Sequence, residues 1–112
     1  MVHAIQNRSE WTQKLAEAKQ SNKLVVVDFT ATWCPPCRFI APFFTELSEK
    51  YPNVLFLKVD VDDLNDIASE YGVQAMPTFK FLKDGVVVDE VVGANKAELE
   101  KKVQQHMVVL NA

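Results

Sequence analysis

The two cysteines of the chain, Cys34 and Cys37, lie in the stretch TATWCPPCRF and are separated by Pro35 and Pro36. A disulfide that closes so short a loop constrains the unfolded chain less than a long-range bridge does. A secreted domain held together by disulfides would also carry several cysteines spread along its sequence. The pair is therefore better suited to reversible thiol–disulfide chemistry than to structural reinforcement.

The segments on either side of the pair indicate how its first thiol is activated. The nearly continuous apolar run of residues 23–32 predicts a strand buried on both faces, and residues 36–51 predict a helix. Cys34 then lies at a helix N-terminus, where free amides and the helix dipole stabilise a thiolate. An ordinary thiol with a pKa of ~8.5 is only about 3% ionised at pH 7. Stabilising the thiolate of Cys34 therefore favours attack, and it also makes this sulfur a better leaving group when Cys37 attacks.

The two prolines stiffen the loop that holds the sulfurs, because each fixes its own φ at about −65°. A residue that precedes proline is also disfavoured in the helical region. We therefore expect Pro35 to be extended and the helix to begin near Pro36. Proline costs a first helical turn little, since its missing amide would have no partner within the helix.

The cysteine pair has two other possible interpretations. Half of a zinc site would need further ligands, and the other soft candidates, His3 and His106, lie near opposite ends of the chain. An inert structural pair belongs in a core, whereas Trp33 and the prolines indicate a loop. We therefore expect a redox pair and no metal.

Asp28 interrupts the apolar run VVVDF six residues before Cys34. A buried carboxylate without a partner costs several kcal/mol unless it is protonated. We interpret Asp28 as a buried acid with a raised pKa that exchanges protons with the thiols; the alternative is an acid at a strand end that reaches water. Lys58, in the second buried-type strand, is a candidate counter-ion, and a lysine that extends to the surface is the alternative.

The segment AMPTF places Pro77 immediately before a predicted strand. The missing amide of proline suits only an edge or a turn there. A cis bond between Met76 and Pro77 would make a tight, rigid loop, but the sequence leaves both isomers open. Gly85 and Gly93 are interpreted as ordinary turn glycines.

Hydrophobic periodicity predicts an order of β-α-β-α-β-α-β-β-α. Alternating strands and helices imply parallel strands with right-handed crossovers, and the KDG turn predicts a final antiparallel hairpin. The sheet should therefore be mixed and five-stranded, with helices on both faces. The predicted strands are residues 3–6, 23–32, 54–61, 78–82 and 86–92, and the predicted helices are residues 9–20, 36–51, 64–71 and 95–109.

Caps and apolar faces add detail to these helices. Asn7 with Glu10 three residues later forms a capping-box pattern, and Asn95 is a second candidate N-cap. Pro42 should kink the second helix. The residues assigned to the apolar side of that helix are Phe39, Ile40, Phe43, Phe44 and Leu47.

Length and composition limit the possible classes of protein. A chain of 112 residues suits a single domain, residues 1–112. The net charge of −3 does not favour binding to nucleic acid or to an anionic membrane. The apolar runs are too short for a membrane span, and we expect no signal peptide.

Taken in order and spacing, the segments VVDFTATWCPPC, KVDVDD, AMPTF, KDG and VVGA make the chain resemble the thioredoxin family over essentially its whole length. The similarity is to the plant cytosolic type h in particular. It implies the thioredoxin fold, α/β with sheet order β1-β3-β2-β4-β5 and four flanking helices. It also implies protein-disulfide reductase activity.

The resemblance further implies roles for individual residues. Cys34 would be the nucleophile and Cys37 the resolving thiol, with Asp28 as the buried proton-transfer acid and Pro77 as a cis proline beside the disulfide. The apolar surface on which target proteins dock would include Trp33, Met76 and Gly93.

Cofactors, partners and location follow from the same resemblance. The chain would bind no cofactor itself and would receive electrons from NADPH through thioredoxin reductase. Its partners would be this reductase and disulfide-containing target proteins, and we expect a cytoplasmic monomer that carries electrons. The family's commonest motif has glycine at Pro35, and bacterial members often have tryptophan at Thr30. These two departures bear on substrate range and potential, not on the fold.

Three rival functions make different predictions. An oxidising or isomerising domain of the secretory pathway should carry a signal peptide or a retention tail. A non-catalytic binding module would tolerate the loss of either cysteine, and both are present. A zinc module would need more ligands than the cysteine pair offers.

Overall fold

A computed structural model describes residues 1–111 of the chain. It contains five strands and four helices in the predicted order. The strands are β1 (Val2–Ala4), β2 (Val25–Thr30), β3 (Leu55–Asp60), β4 (Thr78–Lys83) and β5 (Val86–Val92). The helices are α1 (Arg8–Gln20), α2 (Pro35–Lys50), α3 (Asn65–Glu70) and α4 (Lys96–Asn111). No helix of the described chain is long and apolar enough to cross a membrane.

The sheet has the order β1-β3-β2-β4-β5, as expected from the resemblance. Strands β1, β3 and β2 are parallel, β4 is antiparallel to β2, and β5 is antiparallel to β4. Four strand termini therefore lie at the same end of the sheet: the C-terminal ends of β2, β3 and β5 and the start of β4. The loops that follow or precede these ends meet there, and Cys34 lies in the first of them.

Strand β2 is buried along its whole length because it has a neighbour on each side and helices over each face. Alternate side chains enter two separate cores. Val26 packs with residues of α2 and α4, such as Phe44 and Leu99. Val27 and Phe29 pack with Trp11, Ile67 and other residues of the α1 and α3 side. Asp28 follows the same alternation as Val26, which directs it toward α2.

The caps and the hairpin turn form as predicted. The Asn7 side chain accepts from the Glu10 amide at 2.9 Å, but the Glu10 side chain accepts from the amide of Gln6 instead of that of Asn7. The Asn95 side chain accepts from the amide of Glu98 at 3.0 Å. Asp84 and Gly85 both have positive φ, as a tight turn between antiparallel strands requires.

One assignment on α2 is wrong. Phe39 was placed on the apolar side of this helix, yet it is 61% exposed. The buried stripe is Cys37, Ile40, Phe44 and Leu47, and Phe39 lies one residue, about 100°, away from it. Pro42 lies inside α2 without ending it; the kink remains a prediction.

Candidate active site

Cys34 and Cys37 form a disulfide, with Cα atoms 5.2 Å apart. Cys34 is the N-cap of α2, with extended backbone, and its Sγ accepts from the Cys37 amide at 3.2 Å. This amide is the first in the helix, because Pro35 and Pro36 have none. The capping interaction that would stabilise a Cys34 thiolate therefore depends on the amide of its own redox partner.

The expected conformation of Pro35 is wrong by one residue. The helix begins at Pro35, and the extended residue that precedes a proline is Cys34. The carbonyl of Cys34 accepts from the Arg38 amide at 3.2 Å, which closes the first helical turn around both prolines. This hydrogen bond, together with the short Cys34–Cys37 bridge, outweighs the preference of Pro35 for an extended backbone.

The disulfide is covered from most directions, since each cysteine is only 3% exposed. Ala31, Val61 and Met76 pack around it. Trp33 is 60% exposed beside it, and its Nε1 donates to Oδ2 of Asp62 at 2.9 Å. An apolar surface therefore surrounds a pair that is itself sheltered.

The Met76–Pro77 peptide bond is cis, which decides the question that the sequence left open. The Met76 carbonyl oxygen lies 3.6 Å from Sγ of Cys34. The Pro77 carbonyl accepts from the Gly93 amide at 2.8 Å, so the loops before β4 and after β5 are tied together. Gly93 has φ +103, a conformation that favours glycine, and only open space surrounds the position of a Cβ there.

Asp28 is 3% exposed, and its Oδ1 has no hydrogen-bond partner within the described residues. Burial raises the pKa of Asp28 to about 7, against the lowering effect of the Lys58 charge. Asp28 and Cys37 line the same cavity of about 500 Å³, whereas Cys34 does not line it. The buried acid and the second thiol therefore face one shared space.

Lys58 lies opposite Asp28 in the register between β2 and β3 and also lines the cavity. It is exposed, so the two alternatives for this lysine are each partly right. It reaches the surface, and from there its charge acts on the buried carboxyl.

The two histidines have carboxylate neighbours away from the disulfide. Nε2 of His3 lies 3.2 Å from Oε2 of Glu10, and Nε2 of His106 lies 2.9 Å from Oδ2 of Asp89. Neither histidine is brought to Cys34 or Cys37.

Two contacts near the redox pair were not predicted from the sequence. Nη1 of Arg38 donates to the Thr32 carbonyl at 2.8 Å, which braces the loop before Cys34. Nζ of Lys96 lies 4.6 Å from the ring centroid of Phe39. The offset of Phe39 from the buried stripe of α2 was a visible indication of its exposure, but its pairing with Lys96 depends on how β5 and α4 pack.

Known proteins share this fold and this sequence. The thioredoxin family model matches residues 2–105. Thioredoxin H1 of Arabidopsis thaliana is 59% identical over 97 residues, which cover 87% of this chain and 85% of the relative. An H-type thioredoxin of Picea mariana is 59% identical over 102 residues, 91% of this chain and 82% of the relative.

Solved structures agree. A thioredoxin from Nicotiana alata superposes with a TM-score of 0.91 at 52% identity, covering 95% of this chain and 92% of that one. A poplar thioredoxin h gives 0.91 at 48% identity, over 99% of this chain and 97% of that one. The chain therefore belongs to the thioredoxin family, resembles its plant h-type members, and is a thiol–disulfide oxidoreductase whose redox centre is the Cys34–Cys37 pair.

Proposed function

We propose that the chain reduces disulfides of target proteins with Cys34 as the nucleophile and Cys37 as the resolving thiol. The observation that supports this division is the asymmetry of the pair. Sγ of Cys34 is the cap of α2 and lies at the Met76 side, while Cys37 lines the cavity that also holds Asp28. The first position suits attack on an incoming disulfide, and the second suits proton removal.

The reaction then has two steps. The Cys34 thiolate attacks one sulfur of the target disulfide, forms a mixed disulfide and releases the other target sulfur as a thiolate. Asp28 takes the proton of the Cys37 thiol, and the Cys37 thiolate attacks Sγ of Cys34. The Cys34–Cys37 disulfide forms, the second target thiolate leaves, and two electrons have passed to the target.

Asp28 suits this task because its pKa, raised to about 7 by burial, lies near neutral pH. A carboxyl with an ordinary pKa would be a weak base toward a thiol. Lys58 tunes this pKa from the surface. Pro35 and Pro36 hold the turn, and Trp33, Met76, Pro77 and Gly93 form the surface that receives the target.

We further propose that thioredoxin reductase, using NADPH, returns the disulfide to the dithiol, and that no cofactor is held by the chain. The resemblance to h-type members supports a cytosolic location and action as a single-domain monomer. Reduction of a protein disulfide with and without thioredoxin reductase and NADPH tests this supply of electrons. Turnover that does not depend on the reductase would point to another electron source.

The roles of the two thiols are tested by labelling and trapping. In the reduced protein, a limiting amount of iodoacetamide should label Cys34 well before Cys37, as peptide mass mapping would show. Cys37→Ser should trap targets as stable mixed disulfides, because the resolving step is lost. Cys34→Ser is the matched control and should trap none. Equal trapping by the two variants would reject the assigned roles. Wild type that binds targets without reducing them, with binding unchanged in both variants, would favour a non-catalytic binding module.

A further inference from the structure

The sheet topology fixes the order of the loops at the end of the sheet that carries Cys34. Asp62 follows β3, Cys34 follows β2, Pro77 precedes β4, and Gly93 follows β5. Neighbouring strands lie about 4.8 Å apart. The loop after β3 is therefore one strand away from Cys34 on one side, and the loop after β5 is two strands away on the other.

The two sides carry opposite charge. Asp62 and Asp63 are exposed after β3. On the other side, Lys96 is the first residue of α4 and is exposed three residues after Gly93. Within the described residues, Lys96 has no carboxylate at ion-pairing distance, whereas Lys50, Lys80 and Lys102 each have at least one.

Lys96 is held in place by aromatic rings. Its Nζ lies 4.6 Å from the ring centroid of Phe39 and 5.8 Å from that of Phe43. Such cation–π contacts at exposed sites are weak but directional. Phe39 is 61% exposed and comes two residues after Cys37, so it lies within one helical turn of the redox pair, on the exposed side of α2.

We propose that Phe39 and Lys96 form a specificity site that receives an acidic side chain of the target segment next to the disulfide under attack. The Phe39 ring supports the apolar part of that segment, and the ammonium of Lys96 pairs with its Asp or Glu carboxylate. This proposal rests on the proposed function. On a chain of net charge −3, one free ammonium suits one carboxylate, not a polyanion such as nucleic acid. The guanidinium of Arg38, on the same helix as Phe39, already donates to the Thr32 carbonyl. With Asp62 and Asp63 on the far side of Cys34, the carboxylate also fixes the direction in which the segment lies.

The test uses disulfide-linked peptides that differ only in a Glu or a Gln, scanned over the four positions on each side of the reactive cysteine. The readout is the ratio of kcat/KM for the Glu peptide to that for the Gln peptide. At one or more positions we expect a ratio of about two to five at low ionic strength, which is the range of exposed ion pairs. The ratio should fall toward one at high salt, because exposed charges are screened.

Variants separate the two parts of the site. Lys96→Gln should remove the preference, and Lys96→Glu should reverse it. Phe39→Leu keeps the apolar area but removes the cation–π contact, so it should reduce the preference without reversing it. Lys19→Gln is the matched control and should leave the ratio unchanged. Lys19 lies in the last turn of α1, at the end of the sheet away from Cys34.

The outcomes distinguish this inference from the proposed function. If wild type reduces the Glu and Gln peptides equally at every position, or if Lys19→Gln lowers the ratio as much as Lys96→Gln does, the specificity site is rejected while the reductase function stands. If Cys34→Ser reduces the Gln peptide as fast as wild type does, the proposed function itself fails. Far-ultraviolet circular dichroism confirms that each variant is folded before its ratio is used.

Discussion

The tetrapeptide VVVD occurs twice in the chain, at residues 25–28 and at residues 86–89, and the two copies have opposite environments. The first copy forms the first four residues of β2, and all of them are buried. The second copy forms part of β5, at the edge of the sheet, and its valines are 63%, 41% and 43% exposed. The same local sequence is therefore a core strand or a solvent-facing strand according to its place in the sheet.

The aspartates that end the two copies differ accordingly. Asp28 lies under α2 beside the cavity that Cys37 also lines, and its Oδ1 has no partner among the described residues; burial raises its pKa to about 7. Burial also raises the pKa of Asp89, but hydrogen bonds from His106 and Lys102 outweigh it and lower the pKa to about 2. The distances are 2.9 Å from Asp89 to Nε2 of His106 and 2.8 Å to Nζ of Lys102.

The difference shows which carboxylate is stabilised by its partners, and it supports the proposed chemical role of the other. Asp89 ties β5 to α4 and is stabilised by its partners. Asp28 opposes folding at neutral pH, because burial disfavours its charged form and no described residue donates a hydrogen bond to its Oδ1. A costly group beside the redox pair is consistent with a catalytic role and is hard to explain as a structural one.

The largest expected effect is on the pH dependence of stability in Asp28→Asn. Between the unfolded pKa of 3.8 and the folded pKa of about 7, the folded protein holds a proton that the unfolded chain has lost. Wild-type stability therefore falls as the pH rises through this window and levels off above it. The full shift corresponds to about 4 kcal/mol as an upper limit. Asp28→Asn should not show this fall.

Denaturant melts of the oxidised protein at pH 4 and pH 8 measure this difference, and any constant cost of burying the amide cancels between the two pH values. Turnover should also slow in Asp28→Asn, because an amide cannot take the Cys37 proton. If the free energy of unfolding falls equally in wild type and variant between pH 4 and pH 8, Asp28 is charged at no cost in the folded state.

The next largest effect is expected for Asp89→Asn, and it has the opposite sign. The folded pKa of Asp89 is about 2, below the ordinary value of 3.8. Its contribution is therefore complete above about pH 4 and is lost as the pH falls through 2. At pH 7 the variant should lose about 1 kcal/mol, less than the pKa shift alone implies because the pair is partly exposed to water.

Melts at pH 7 and pH 2.5 check this prediction, and disulfide reduction by Asp89→Asn should match that of wild type. Equal stability of wild type and variant at pH 7 would mean that the contacts with His106 and Lys102 are neutral. A lower rate of disulfide reduction by Asp89→Asn would mean that the carboxylate of Asp89 also affects the reaction.

The sequence predicted the fold well because the information was local. The buried run of β2, the KDG turn and the caps at Asn7 and Asn95 each depend on neighbouring residues. Asp28 was predicted to be a buried acid because the apolar run continues on both sides of it. Asp89 also lies within a valine-rich segment of the sequence, yet it is only partly buried because β5 is an edge strand.

Two of the remaining features depend on contacts between distant segments. The isomer of the Met76–Pro77 bond is not encoded in its spacing, and the cavity shared by Asp28 and Cys37 is formed by three strands and α2. The extended backbone expected at Pro35 is absent, because the hydrogen bond from the Arg38 amide to the Cys34 carbonyl outweighs the general preference before proline. Phe39 is exposed because the buried face of α2 includes only some of the apolar residues in this helix.

The smallest expected effect compares the two lysines that act on these aspartates. Lys102 donates a hydrogen bond to Asp89, whereas Lys58 acts on Asp28 through its charge and from an exposed position. Lys58→Met should raise the pKa of Asp28 further, because the charge that favours its ionised form is gone. Lys102→Met should raise the pKa of Asp89 by more, because a hydrogen bond is lost as well. Carbon-13 NMR titration of the two carboxyl groups measures both shifts, and in Lys58→Met the acid limb of turnover should move to higher pH. An unchanged pKa of Asp28 in Lys58→Met would mean that solvent already screens this lysine and that burial alone sets the carboxyl.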